Sequence, residues 1–100
     1  MTNKYDEASR IFKALCDENR LMVLELLQHG EKYAGSLLEE LKITQSTLSH
    51  HMRILCESGI VVARRLGKWT YYSLSREGCE NAKYLLAAFI TGSEQEEVSA

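Results

Sequence analysis

A short segment near the middle of the chain, residues 44–55, carries side chains whose types and spacing suit contact with a nucleic acid. In a helix each residue lies about 100° further round the axis, so Leu48, Met52 and Leu55 would share one narrow arc. The opposite arc is polar and consists of Gln45, Ser46, Ser49, His50 and Arg53. Solvated helix faces are mostly Glu and Lys, whereas these amide, hydroxyl, imidazole and guanidinium groups can press against phosphates and base edges. The pattern predicts a recognition helix for the DNA major groove, with Thr44 as its N-cap.

Two β-prone runs follow this helix. Gly59 stands where a glycine typically ends a helix, and residues 60–66 are apolar and β-branched before they become basic. Gly67 and Lys68 supply a turn, and residues 69–74 form the second run, which together predict a β-hairpin. A helix-turn-helix followed by a hairpin is a winged helix, and a basic hairpin tip can anchor the DNA backbone. The predicted DNA contacts are therefore Gln45, Ser46, Thr47, Ser49, His50, Arg53, Arg64, Arg65 and Lys68.

The rest of the chain fits around this unit as a single winged helix-turn-helix domain over residues 1–100. Further helices are predicted at residues 5–15, 18–29, 36–41 and 76–91, with Asp17 and Ser75 as N-caps. Residues 31–34 form a connector that could be a short strand before the third helix. The expected fold class is mainly α with a small β-hairpin, in the order α-α-α-α-β-β-α. Residues 92–100 are acidic and polar, and we expect them to fray.

Apolar stripes on the two terminal helices predict a homodimer. The stripe on the last helix consists of Cys79, Ala82, Leu85, Leu86, Phe89 and Ile90. A core built from the central helices and the hairpin can cover only part of these stripes, so a second copy of the chain is the simplest cover. A two-fold dimer would present two recognition helices to the half-sites of a palindromic double-stranded DNA operator, about one helical turn or a multiple apart.

The charge distribution separates the predicted DNA-binding unit from its flanks. The formal net charge is −2 overall, but residues 44–74 carry four basic side chains against the single acid Glu57, a net charge of +3. A basic stripe of this kind suits DNA and predicts a strongly salt-dependent affinity. No apolar run approaches the roughly 20 residues that cross a bilayer, and the N-terminal residues lack an apolar signal segment. We therefore expect a cytoplasmic protein without membrane contact, whose cysteines are reduced.

Four segments resemble a known family. They are residues 13–21 (KALCDENRL), 45–55 (QSTLSHHMRIL), 59–61 (GIV) and 64–74 (RRLGKWTYYSL). In this order and spacing, from about residue 8 to about residue 90, the chain resembles the ArsR/SmtB family of winged-helix metalloregulatory repressors. The resemblance implies a homodimer that represses its own operon and leaves the DNA when it binds a metal ion, a metalloid or a redox signal.

The two well-known inducer sites of that family are not matched in this chain. One is a Cys-x-Cys pair on the helix before the recognition helix, and the matching residues 33–38 contain no cysteine. The other is a set of Asp and His ligands on the last helix, which here has Glu77 and Glu80 but no histidine. A four-coordinate zinc site of the usual kind is therefore not expected.

The cysteines remain as candidate inducer ligands. Thiolates suit soft ions such as As(III), Cd(II) or Cu(I), and reactive thiols respond to oxidants or persulfides. Some members of the family bind arsenite across the dimer through cysteines near the ends of the first helix and the recognition helix, and Cys16 and Cys56 lie in those two neighbourhoods. As(III) or another thiophilic ion is thus the cofactor to consider, although no third thiolate is evident because Cys79 lies on the apolar stripe. The alternative is that all three cysteines are small core residues.

Two other function classes fit the sequence less well. An enzyme would need a nucleophile elbow, a glycine-rich phosphate loop or a substrate cavity, and the sequence offers none of these, so no enzymatic activity is expected. A winged helix that binds only another protein would need neither the basic hairpin tip nor the polar helix face, and its affinity would lack a steep salt dependence. Among the remaining residues, we assign His51 to the edge of the core, and Trp69 and Tyr72 to core packing.

Overall fold

The computed structural model describes residues 3–92. The elements in chain order are α1 (Lys4–Ala14), α2 (Glu18–Leu27), β1 (Lys32–Tyr33), α3 (Ala34–Leu41), α4 (Gln45–Glu57), β2 (Val61–Leu66), β3 (Trp69–Leu74) and α5 (Arg76–Thr91). The predicted fold class, a mainly α winged helix-turn-helix, is confirmed. The predicted frayed end, residues 92–100, lies outside the described residues except for Gly92, which is the C-cap of α5. Among residues 3–92 no helix is long and apolar enough to cross a membrane.

Side-chain caps begin three of the helices where the sequence predicts them. Asp17, Thr44 and Ser75 each accept a backbone N–H from two or three residues further on, at 2.8 to 3.2 Å. The turn between α3 and α4 is made by Lys42, whose φ of 55° lies in the left-handed region. This turn joins α3 to α4 as a helix-turn-helix.

The hairpin of β2 and β3 gains a third strand in the structure. The order in the antiparallel sheet is β1-β3-β2, so the connector before α3 does form a strand and pairs with β3. The pairing of β2 with β3 is continuous from Val61 opposite Leu74 to Leu66 opposite Trp69. We call β2, β3 and the turn between them the wing.

The core lies between α1, α2, α3, α4 and the start of β2. Its most completely buried large side chains are Leu37, Met52, Leu55, Val23 and Val61. The helix α5 differs, because none of its described residues is fully buried. It packs on α1 and leaves an apolar face exposed.

The start of α5 is held against the end of α4 by close backbone contact. The N–H of Ser75 donates to the carbonyl of Ile60 at 2.8 Å. A Cβ on Gly78 would overlap the carbonyl of Gly59, so only glycine fits at this position of α5. The terminal helix is thereby joined tightly to the helix-turn-helix.

Helix ends differ from the sequence predictions by up to two residues. The helix α2 ends at Leu27 instead of residue 29, because the N–H of Gly30 already turns back to the carbonyl of Leu27 at 3.1 Å. The helix α3 begins at Ala34 instead of residue 36, directly after β1. The predictions took Gly30 as the signal for the end of α2 and Ser36 as the signal for the start of α3. In the structure, α2 ends earlier and α3 begins earlier than these residues indicate.

Candidate nucleic-acid interface

The helix α4 presents one buried apolar face and one exposed polar face, as its periodicity predicts. Leu48, Met52 and Leu55 are buried in the core. The exposed residues are Gln45, Ser46, Ser49, His50 and Arg53, with Glu57 at the C-terminal end of the helix; we call the first five the outer face of α4. The helix carries no carboxylate before Glu57 at its end. Such a face can approach phosphates without charge repulsion.

Thr47 differs from the other predicted contacts on α4. It is half-buried, and its hydroxyl oxygen accepts a hydrogen bond from Thr44 Oγ1 at 2.9 Å. Its backbone N–H donates to the same oxygen of Thr44 at 3.2 Å. Because the Thr47 oxygen is the acceptor in this pair, its own O–H can still donate to a phosphate near the start of α4.

His51 faces the interior, directly after the exposed His50. It is 7% exposed, and its Nδ1 lies 2.9 Å from Nη1 of Arg20. Burial lowers the pKa of His51; the carboxylate of Asp17 raises it, and the cation of Arg20 lowers it again. The interpretation of His51 as a residue at the edge of the core is confirmed, and it takes no part in the outer face.

Arg20 is the polar residue that the sequence interpretation missed. It is 9% exposed, on the same side of α2 as the buried Val23 and Leu27. Its position three and seven residues before these apolar side chains was the available signal, because it places a permanent cation on the buried stripe. A buried arginine needs acceptors, and its partners could not be read from α2 alone.

The wing divides its basic residues between two faces. Because successive residues of a strand point to opposite faces, Arg64 and Arg65 of β2 point away from each other. Arg65 shares its face with Tyr72, which packs against the core. Lys68 lies in the turn at the tip, and all three basic side chains are exposed.

Arg64 is engaged by an acid of the same chain. Its Nε and Nη2 each donate to a carboxylate oxygen of Glu31 at 2.9 Å, and its guanidinium lies 4.9 Å from the ring centroid of Tyr71. The hydrogen bonds from Arg64 lower the pKa of Glu31, and the same bonds raise the pKa of Arg64. The pair reduces the charge that Arg64 can offer to a phosphate, compared with Arg65 or Lys68.

The expectation that Trp69 packs in the core is wrong. Trp69 is 44% exposed and meets the ring of Tyr33 edge-on, with the ring centroids 5.2 Å apart. The same expectation for Tyr72 is confirmed, because this half-buried ring packs against the core. Positions 69 and 72 are three residues apart, an odd spacing, so one strand cannot direct both side chains to the same face.

The three cysteines lie in separate environments. Cys16 is exposed at a cleft of about 510 Å³ that Ile54 and Glu57 also line. Cys56 and Cys79 are half-buried, and burial raises the pKa of both thiols. In the part of the chain from residue 3 to residue 92, no three His, Cys, Asp or Glu side chains converge as a metal site. Within one chain, these residues do not fit a site that supplies three ligands to an ion.

The helix-turn-helix, the carboxylate-poor outer face of α4 and the basic wing define a winged-helix DNA-binding protein. The family model described as bacterial regulatory protein, arsR family, matches residues 17–62, from the cap of α2 into β2. An uncharacterized HTH-type transcriptional regulator of Methanocaldococcus jannaschii is 47% identical over 70 residues, which are 69% of this chain and 79% of the relative. The arsenical resistance operon repressor of Staphylococcus xylosus is 44% identical over 73 residues, covering 73% of this chain and 70% of that repressor.

A solved structure agrees with these relatives. The crystal structure of the transcriptional repressor BigR from Xylella fastidiosa matches with a TM-score of 0.66 at 33% identity, over 88% of each chain. This chain belongs to the ArsR family, and it is a DNA-binding transcriptional regulator. The resemblance drawn from the four sequence segments is confirmed, and the relatives are named as regulators of transcription, not as enzymes.

Proposed function

We propose that this protein is a repressor that binds a palindromic operator as a homodimer and leaves the operator when an inducer binds. The observation that carries the proposal is the outer face of α4, which is exposed, hydrogen-bonding and free of carboxylates as far as Glu57 at the end of the helix. Two relatives that are repressors by name support the direction of regulation. One domain, with one α4 and one wing, serves one operator half-site.

Within each half-site the residues of the outer face differ in what they can recognise. The amide of Gln45 and the imidazole of His50 can both donate and accept hydrogen bonds at base edges. The short hydroxyls of Ser46 and Ser49 let the helix backbone come close to the DNA. Arg53 and the wing residues Arg65 and Lys68 bind phosphates, with Arg64 as the weakest member because Glu31 already holds it.

The terminal helices support a dimer. The exposed large apolar side chains of α5 are Tyr84, Leu86, Phe89 and Ile90. On α1, the ring of the exposed Tyr5 lies 6.0 Å from that of Phe89, which makes the patch continuous across both helices. Monomeric proteins seldom expose a large contiguous apolar patch, and a two-fold axis would let this one cover itself.

DNA binding to the chain's own upstream region, followed by fluorescence anisotropy, tests the assignment of α4. In Ser49→Glu a carboxylate on the outer face would meet phosphates, and we expect operator affinity to fall by about 100-fold or more, which is about 2.7 kcal/mol. Gln28→Glu is the control, because it also adds one carboxylate at an exposed position, the C-cap of α2, outside the outer face and outside the apolar patch of α1 and α5. Circular dichroism should show both variants folded.

The dependence of this binding on salt separates the two function classes. A dimer that contacts about four to eight phosphates should lose affinity steeply as salt rises, with a slope of about −0.9 per phosphate. A folded Ser49→Glu dimer with parental affinity would contradict the assignment of α4. Binding of a protein partner without such a slope would instead support an interaction module.

Cys16 and Cys56 are the residues that we propose as ligands of the inducer. Because one chain does not gather three ligands in its described part, any thiolate site for As(III) would have to combine residues of both protomers. We expect stoichiometric As(III) to release the operator, and Cys16→Ser or Cys56→Ser to prevent the release, with Cys79→Ser as the matched control. Release by a persulfide donor alone would indicate a redox signal. Absence of release by either agent would leave all three cysteines structural.

A further inference from the structure

The guanidinium of Arg20 is buried where three helices meet. Its Nε donates to the carbonyl of Ala14 at 2.7 Å, and its Nη2 donates to the carbonyl of Lys13 at 3.3 Å. Its Nη1 lies 2.9 Å from Nδ1 of His51. A single side chain of α2 thus joins the end of α1 to the middle of α4.

The guanidinium of Arg20 is the hydrogen-bond donor in all three of these contacts. The last carbonyls of a helix lack partners within the helix, and Arg20 supplies donors to two of them at the end of α1. An arginine is a rigid plane with five N–H donors and no acceptor, so binding the two carbonyls also orients the N–H that meets His51. A lysine would offer one flexible ammonium and could not hold both ends at once.

The contact with Arg20 also determines which nitrogen of His51 carries the proton. Because arginine can only donate, Nδ1 of His51 must accept and is unprotonated. The proton lies on Nε2, which is 3.9 Å from Oδ1 of Asp17. The titratable and charged groups that face the ring are Arg20 and Asp17 at the start of α2 and His50 on α4, whose ring centroid is 5.6 Å away. The end of α1 contributes only backbone carbonyls to Arg20.

We propose that Arg20 and His51 are positioning residues for operator binding, and that the operator-binding form requires a neutral His51. The pair holds α4 at the angle to α1 and α2 at which the outer face can reach the base edges. The inference rests on the proposed operator binding and adds the groups that aim α4. Protonation of His51 would remove the acceptor at Nδ1 and place an imidazolium against the guanidinium of Arg20, so the link between α1 and α4 would open.

Burial, more than the nearby charges, favours the neutral ring of His51 at physiological pH. Burial lowers the pKa of His51, and Arg20 and His50 lower it further, while Asp17 acts in the opposite direction. The carboxylate of Asp17 is also occupied, because it accepts the backbone N–H groups of Asn19 and Arg20 as the cap of α2. Its attraction for an imidazolium opposes burial but does not reverse the lowered pKa of His51.

Two substitutions of His51 test the positioning role. His51→Leu removes the acceptor at similar volume, whereas His51→Asn keeps an uncharged acceptor near the position of Nδ1. At neutral pH we expect operator affinity to fall about tenfold in His51→Leu, which is about 1.4 kcal/mol, and to stay within about threefold of the parent in His51→Asn. Circular dichroism and the oligomeric state at the assay concentration serve as folding controls.

The pH profile gives a readout that a purely structural role would not change. The ratio of the dissociation constants of the parent and of His51→Asn is measured from neutral to acid pH, and the contribution of His50 cancels because both proteins retain it. Because the pKa of His51 is lowered, we expect the parent to lose affinity relative to His51→Asn only below about pH 6.5.

The outcomes distinguish the two proposals. A folded parent that binds no operator at any pH would contradict the proposed function itself. A parent that binds, together with parental affinity in His51→Leu and a flat pH ratio, would overturn the positioning role alone. If His51→Leu does not fold, the pH ratio of the parent and His51→Asn decides, since both are compared as folded proteins.

Discussion

The helix α4 and the wing each contain two neighbouring residues of one type, and the fold separates them in different ways. In α4, His50 is exposed while His51 is buried beneath it. In the wing, Arg64 and Arg65 are both exposed but lie on opposite faces of the sheet. Helix neighbours differ by about 100° in direction, and strand neighbours point to opposite faces. In α4 this rotation places His51 in the core and His50 in solvent. The tip of the wing extends beyond the core, so both of its faces meet solvent.

Neighbouring residues of the same type acquire different roles in these two regions for two different physical reasons. Burial decides in α4, because a buried imidazole needs a partner and finds it in Arg20. Local pairing decides in the wing, because Glu31 binds one arginine and lies on the far side from the other. The four residues therefore should respond very differently to substitution and to pH.

The largest difference is expected between the two faces of α4. Leu55 is fully buried, and Leu55→Ala should lower the free energy of unfolding by about 2–5 kcal/mol, because it removes core packing and leaves a cavity. Arg53→Ala on the outer face should change that free energy by less than about 0.5 kcal/mol while weakening operator binding. Urea unfolding at a fixed protomer concentration measures both. Equal destabilisation by the two substitutions would remove the distinction between the faces.

In the wing, the next largest effect concerns the salt dependence of operator binding. Arg65→Ala should reduce the slope of log affinity against log salt by about 0.9 for each phosphate that the protein no longer neutralises, or about twice that in a dimer. Arg64→Ala should reduce it less, because Glu31 already neutralises Arg64. Anisotropy titrations at several salt concentrations measure the slopes. A larger change of slope in Arg64→Ala than in Arg65→Ala would contradict the claim that Glu31 reduces the contribution of Arg64 to phosphate binding.

A smaller effect is expected in the pH dependence of stability, through the buried His51. Because the pKa of His51 is lowered in the folded protein, the unfolded chain binds its proton more readily. The stability that depends on neutral His51 is therefore complete above about pH 6.5 and is lost as the pH falls from there toward the lowered value. Urea unfolding across this range should show a weaker pH dependence in His51→Asn than in the parent. A parental pH dependence in His51→Asn would contradict the burial argument.

The smallest effect is expected for the ion pair between Glu31 and Arg64. Both side chains are well exposed, so the pair contributes little to folding, and Glu31→Gln should leave the thermal midpoint almost unchanged. The substitution releases Arg64 and removes a negative charge near the wing, so operator affinity should rise by about two- to threefold at low salt. Lys32→Gln, which changes a neighbouring charge of opposite sign, is the control and should not raise affinity. A rise in Lys32→Gln as well would show that pairing with Arg64 is not the cause.

Much of the fold could be predicted because its determinants are local. The caps Asp17, Thr44 and Ser75 act within three residues of their own positions, and all three predictions are confirmed. The two faces of α4 follow from a helical repeat that Leu48 and Leu55 make plain. The wrong placement of Trp69 came from assigning two strand positions an odd number apart to one face. The DNA contacts, the dimer and the roles of Cys16 and Cys56 stay predictions, since each depends on a second molecule.

By itself the sequence determined the order of the elements, the polar side of α4 and the family, because capping, periodicity and motif spacing act over a few residues. Only the tertiary structure decided which partners the charged groups meet. Arg20 reaches His51 across 31 residues of chain, and Glu31 reaches Arg64 across 33. The buried Arg20 must find acceptors in space, whereas the exposed Arg64 and Glu31 pair because the fold brings them within reach of each other. Periodicity describes one helix or strand at a time, and therefore cannot say which element will supply that partner.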